Sequence, residues 1–175
     1  FDELKKKKNV ITANKALLSK YGQQLAVIAE KNNCYVGYEA AIAGGIPLVC
    51  ILKNFLASNS IIKVYGILNG TSNFILSRML ETKKSFSEIL KEAQKLGYAE
   101  ADPTFDINGT DTAHKLSIIT SLAFNKKIDF SSIFIHGIEN IQLTDLKFAD
   151  TLGYKIKLIG LCQNLHSRIQ QFVYP

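Results

Sequence analysis

Residues 97–115, GYAEADPTFDINGTDTAHK, carry Glu100, Asp102, Asp106 and Asp111 ahead of His114 and Lys115, with Pro103 and Gly109 punctuating the run. Carboxylates near a lysine can orient it and can also grip a substrate's ammonium group. The lysine can then donate or accept a proton at a reacting oxygen. Four acids could instead serve a divalent cation, but their spacing is not that of a calcium loop, and a lysine in their midst disfavours one. The plain alternative is a solvated loop leading into a helix.

The helix that follows discriminates between these readings. At about 100° per residue, Asp111 and Lys115 fall within roughly 40° of each other, on the stripe shared by Ile118 and Leu122. An exposed Asp–Lys pair at this spacing contributes only about 0.3 kcal/mol. Here the pair occupies the face that should point into the core, where charge is costly unless paired or lining a polar pocket. Either the first turn protrudes and both side chains stay wet, or the pair belongs to a site. Glu100 and Asp106 approach the same helix start, which favours a site.

The elements that must position these residues follow from periodicity and punctuation. NVITANKALLSKYGQQLAVIAEKNN reads as a short buried strand, a capped turn with Asn14 as N-cap, then helix to about Lys31. CYVGY is a short strand and EAAIAGGIP a loop, because paired glycines before Pro47 cannot continue a helix. PLVCILKNFLA restarts a helix with proline in its first turn. IIKVYGIL is the clearest strand, closed by the turn NGTSN, and FILSRMLETK is helix. SFSEILKEAQKLG is a helix with Ser85 and Glu88 at capping-box spacing and Gly97 past its end. DTAHKLSIITSLAF is helix. SIFIHGI, KIKLIGLC and RIQQFVY read as strands, with the helix TDLKFADTLG between the first two. The alternation predicts an α/β or α+β layered fold, a mixed β-sheet covered by helices.

The composition is globular: 175 residues, 47% hydrophobic and 21% charged. The net charge of +6 comes partly from Lys5 to Lys8, beside Asp2 and Glu3. The rest is scattered without an aromatic-basic stripe, which argues against nucleic acid as a partner. Cys34, Cys50 and Cys162 form no metal-spaced pair, and reduced thiols suggest a reducing, cytoplasmic compartment. Every apolar run is too short for a membrane span or is interrupted by charge. NGT at Asn69 and at Asn108 matches a glycosylation sequon, which has no use without secretion. The chain begins at Phe1 rather than methionine, the expectation for a fragment.

Ala93, Gly97, Tyr98, Asp102, Pro103, Asp106, Ile107, Gly109, Asp111 and Lys115 fall at the spacings of the homoserine dehydrogenase signature. VITANK (10–15), EAAIAGGIPLV (39–49) and VYGILNGTSNFIL (64–76) resemble further segments of that family in the same order. The resemblance runs from about Val10 to Pro175. It implies reversible reduction of L-aspartate 4-semialdehyde to L-homoserine with NADPH or NADH, on the route to threonine, methionine and isoleucine. By resemblance, Lys115 is the general acid, Asp111 positions it, and a cation beside the aldehyde oxygen stabilises the developing alkoxide. Glu100 resembles the acid that binds the substrate's ammonium, with Tyr98, Asp106, Gly70 and Thr71 as companions. Lys15 resembles the lysine where nicotinamide meets substrate, and Thr12 a cofactor contact. The carbonyls of Glu39, Ile42, Gly44 and Ile46 resemble a site for a monovalent cation, Na+ or K+.

The same resemblance divides the chain. Residues 1–36 look like the tail of a Rossmann-type dinucleotide-binding domain, and 37–175 like a truncated catalytic and dimerisation domain that forms a homodimer. No G-x-G-x-x-G occurs, so the fragment alone is expected to bind nicotinamide cofactor poorly and to be inactive. The competing reading is a non-catalytic dimerisation or ligand-sensing module that kept the fold.

Overall fold

The computed structural model describes residues 1–165 and 168–175. By internal packing the chain forms two compact units. The first comprises Phe1–Val64, His114–Ile133 and Cys162–Gln171, and the second Tyr65–Ala113, Phe134–Leu161 and Phe172–Pro175.

The first unit opens with α1 (Asp2–Lys5), β1 (Val10–Ile11), α2 (Lys15–Lys31) and β2 (Val36–Gly37). Strands β1 and β2 pair in parallel, Val10 opposite Val36 and Ile11 opposite Gly37. The expected buried strand is corrected in one respect, because Ile11 is 88% exposed and Val10 only half-buried. Successive strand side chains point to opposite faces, so a two-residue strand can turn only one of them toward α2. Asn14 caps α2 as expected, its Oδ1 accepting from the Leu17 N–H at 2.9 Å. Leu18, Leu25 and Ala29 form the buried stripe of α2. Gly22 sits where a Cβ would lie 2.9 Å from Ile128 Cδ1, so α2 approaches the segment after residue 124 closely.

The stretch expected as a loop holds a single 3-10 turn, Glu39–Ala41. After Pro47 come α3 (Leu48–Cys50) and a wider-pitched turn, Ile51–Phe55. Helix α7 (Thr110–Phe124) begins in the second unit and continues through the first. Residues 116–120 are buried on every side. Its buried hydroxyls survive there by bonding back to the helix: Ser117 Oγ donates to His114 O at 2.8 Å and Thr120 Oγ1 to Leu116 O at 2.8 Å.

In the second unit α4 (Gly70–Thr82) packs against α5 (Phe86–Lys95), α6 (Thr104–Ile107) and α8 (Leu143–Thr151). Ile75, Leu76, Met79, Ile89 and Leu146 form its core. The Glu88 carboxylate accepts from the Ser85 N–H at 2.9 Å, the expected cap of α5. Two readings change here. NGTSN is the start of α4 rather than a turn, and the loop 97–109 contains α6.

A four-stranded sheet has the order β3 (Lys63–Gly66), β5 (Ile159–Leu165), β6 (Arg168–Tyr174), β4 (Phe134–Ile135). Strand β4 runs parallel to β6, Phe134 opposite Phe172 and Ile135 opposite Val173. The strand expected from Lys155 begins only at Ile159, and SIFIHGI shrinks to two residues. The reason for the latter is visible in its hydrogen bonds. His136 N–H still donates to Val173 O at 2.8 Å, but Ile138 N–H turns away to Ile107 O at 2.8 Å. Sheet and helices together give the expected α/β architecture.

Candidate active site

Gly109, with φ +87°, turns the chain from α6 into α7, and Asn108 Oδ1 accepts from the Thr110 N–H at 2.9 Å. Asp111 therefore enters on the first turn of α7, and it is only 7% exposed. The reading in which this turn protrudes and leaves Asp111 wet is excluded. A buried carboxylate needs donors, and one comes from Asn69, itself 4% exposed. Asn69 Nδ2 donates to Asp111 Oδ2 at 2.9 Å and to Asp106 Oδ1 at 2.8 Å. Two carboxylates of the original motif thus share one amide.

The first turn of α4 builds this arrangement. Asn69 Oδ1 accepts from the Ser72 N–H at 2.8 Å, which caps the helix, while Ser72 Oγ donates to the Asp106 carbonyl at 2.7 Å. Asn73 Nδ2 donates to Asn69 O at 3.0 Å and to Leu158 O at 3.1 Å, and Asn73 Oδ1 accepts from the Leu158 N–H at 3.0 Å. The sequence marks Asn69 only as a sequon and does not single out Ser72 or Asn73. The usable signal was an asparagine at N-cap spacing after a strand, hidden because NGTSN also spells a turn.

Gly70 and Thr71 occupy the first two positions of α4, and Thr71 Oγ1 donates to the Tyr98 carbonyl at 2.7 Å. Tyr98 is 58% exposed, with its ring 4.6 Å from that of Phe74, so it is a rim residue and not core. Gln94 Nε2 holds the Glu100 and Ala101 carbonyls at 3.2 and 3.3 Å, while the Glu100 side chain is exposed. Asp102 has a local role. It accepts from the Thr104 hydroxyl and N–H at the start of α6, and these bonds hold its carboxyl below the usual range.

Lys115 stands one turn after Asp111 and is half-buried. In the first unit, Ser19 Oγ and Ser117 Oγ lie 2.9 Å apart, both buried, joining α2 to α7. Lys15, half-buried at the first position of α2, is one helical turn before Ser19, and Lys115 is half a turn before Ser117. Thr12 Oγ1 accepts from the Asn14 N–H at 3.1 Å. Strand β1, Thr12 and the N-terminus of α2 thus form the carboxyl end of a parallel strand entering a helix, a place suited to a dinucleotide.

The 39–46 segment is already engaged locally. The Glu39 carboxylate accepts from Val49 N–H at 2.7 Å and Cys50 N–H at 3.0 Å, capping α3. The Glu39 carbonyl accepts from Ile42 N–H at 3.5 Å, and that of Ile46 from Leu48 N–H at 2.8 Å. Ile42 is buried, whereas Gly44 and Ile46 are exposed. Among the described residues no three His, Cys, Asp or Glu side chains converge as a metal would require. The three cysteines are free, and no described helix is long and apolar enough to cross a membrane.

The arrangement offers an anchored pair of carboxylates beside a helix that carries a lysine, with an exposed acid and a tyrosine nearby in sequence. Known proteins resemble this chain in sequence and fold. The family model described as homoserine dehydrogenase matches residues 47–175. A homoserine dehydrogenase of Neisseria gonorrhoeae is 49% identical over 168 residues, 96% of this chain and 39% of that protein. One from Bacillus subtilis is 45% identical over 174 residues, 99% of this chain and 40% of the relative. The crystal structure of a homoserine dehydrogenase from Thiobacillus denitrificans superposes with a TM-score of 0.93 at 46% identity, covering 95% of this chain and 39% of that one. The chain spans about two fifths of the length of the curated relatives it matches. With the motif residues at their expected spacings, the matched region over most of the chain and the same fold in a solved relative, this chain belongs to the homoserine dehydrogenase family.

Proposed function

We propose that the protein carrying this chain interconverts L-homoserine and L-aspartate 4-semialdehyde with NADP or NAD, a step toward threonine, methionine and isoleucine. The observation that carries this reading is Asp111, a carboxylate held in the interior by hydrogen bonding, one turn before Lys115 on the same helix. Burial of that kind is expensive, and a functional site is where such a cost is commonly retained.

Lys115 gives its proton to the aldehyde oxygen as the carbonyl is reduced, and takes one from the homoserine hydroxyl in reverse. As a cation it also lowers the energy of the developing alkoxide. Asp111 orients Lys115. Glu100, exposed at the rim, holds the amino acid's ammonium, with Tyr98, Asp106, Gly70 and Thr71 completing the substrate contacts. When bound, the nicotinamide supplies or accepts the hydride. Lys15 and Thr12, at the start of α2 beside a parallel strand, would hold it where it meets substrate.

The carbonyls of Glu39, Ile42, Gly44 and Ile46 would hold a monovalent cation, each by a second lone pair where the first accepts a backbone N–H. Residues 1–36 belong to the cofactor domain and 37–175 to the catalytic and dimerisation domain. The protein is a cytoplasmic homodimer, a reading supported by the exposed aromatics Phe134 on β4 and Tyr174 on β6.

The decisive experiment uses the complete natural chain with L-aspartate 4-semialdehyde, comparing NADPH with NADH by absorbance. Lys115→Ala should abolish turnover while leaving the thermal transition in place. Unchanged turnover in that variant would remove Lys115 from the mechanism. A folded wild-type protein with no turnover would favour the sensing or dimerisation module.

A further inference from the structure

We infer that Asn69 is a positioning residue for this site, its amide setting the spacing of the Asp106 and Asp111 carboxylates. The inference rests on the dehydrogenase reading above. An amide nitrogen carries two hydrogens in one plane, about 120° apart. Asn69 gives one to Asp106 Oδ1 and the other to Asp111 Oδ2, at 2.8 and 2.9 Å. That geometry places the two acceptor oxygens about 5 Å apart and puts positive hydrogens between two groups that otherwise repel.

No other N-cap residue does both tasks. Asparagine, aspartate and serine cap helices about equally well, and the cap here needs only an oxygen for the Ser72 N–H. Capping therefore gives no reason to prefer asparagine. Serine has one hydrogen to share between two carboxylates, and ionised aspartate has none. The surroundings support the same task. Ser72 Oγ pins the Asp106 backbone, and Asn73 fastens Asn69 O and residue 158. Asn69 is 4% exposed, so water cannot readily replace the lost donors. Asp111 in turn orients Lys115 in the proposed mechanism, so a shift of the carboxylates reaches the proton donor through it.

The test is steady-state kinetics of the complete natural chain and its Asn69→Ser and Asn69→Asp variants, with unfolding followed in parallel. The expected order of kcat is Asn, then Ser, then Asp. The serine variant should lose ~10-fold or more and the aspartate variant ~100-fold, the scale of a misplaced reacting group. The KM for the nicotinamide should stay within about twofold, because Asn69 is not among its proposed contacts. Equal kcat in the wild type and both variants, or losses that simply track the unfolded fraction, would overturn the assignment, since a cap alone predicts no such order. Absent wild-type turnover refutes the dehydrogenase reading instead. The bridge is then decided by selective 15N-asparagine labelling: side-chain protons of Asn69 that exchange slowly, and become fast in Asp106→Ala, support it. Rapid exchange in the wild type rejects it.

Discussion

Gly137→Ala puts the link between β4 and the start of the site under direct strain. A Cβ built on Gly137 would lie 2.2 Å from the Ile107 carbonyl oxygen, 2.5 Å from Asn108 Cα and 2.8 Å from Asn108 C. Close carbon–oxygen contacts in proteins settle near 3.3 Å, so the backbones must part by about 1 Å. All three neighbours are main chain, and no side-chain rotation can relieve it. Overpacking of this kind costs about 3 kcal/mol at its upper range. The Ile138 N–H to Ile107 O bond at 2.8 Å spans the same gap, and weakening it adds about 1 kcal/mol. A loss of about 4 kcal/mol, with a urea slope near 2 kcal/mol/M, lowers the midpoint by roughly 2 M. Because residues 107–109 deliver Asp111 to α7, turnover should also fall, by ~100-fold for a displacement of that size. The assay is urea unfolding by circular dichroism, with Gly66→Ala as control. Nothing lies within 4 Å of a Cβ at Gly66, so that variant should match the wild type or gain a few tenths of a kcal/mol. A Gly137→Ala protein as stable as the control would refute the close approach itself.

The buried hydroxyl pair gives an asymmetric expectation. Ser117 spends its hydrogen on His114 O, so Ser19 must be the donor between them. Ser19→Ala should cost about 1 kcal/mol and Ser117→Ala about 2, because only the latter orphans a buried donor; equal losses in thermal unfolding would contradict the assigned direction. Cys162 is buried, and burial pushes its thiol up, outweighing the Thr120 hydroxyl and the Val64 backbone that favour thiolate. Thiolate is the reactive form, so iodoacetamide at pH 8 should modify half-buried Cys34 and Cys50 first. Cys162 should gain ground only as pH rises, as read by peptide mass spectrometry, and early labelling of it in folded protein would count against its burial.

Much of the scaffold was legible because its signals are local. Asn14, Ser85 and Glu88 announce helix starts by side-chain chemistry that acts within three residues, and the long apolar periods of α2, α5 and α7 leave no competing fold. The short elements were misread where a distant partner decides. SIFIHGI has the composition of a full strand, yet Gly137 must approach Ile107 and Asn108, and the ladder ends after two residues. Nothing near residue 137 in sequence states that requirement. NGTSN illustrates the same limit at the site. Its residues satisfy a turn and a helix start equally, and only the position of Asp106 and Asp111, 37 and 42 residues later, gives the amide of Asn69 two acceptors. Asp111 could be found from its place on an apolar helical face, and Asp106 from its spacing in the motif. What holds them apart could not, because a hydrogen-bond donor is recognised by the partners that folding brings to it.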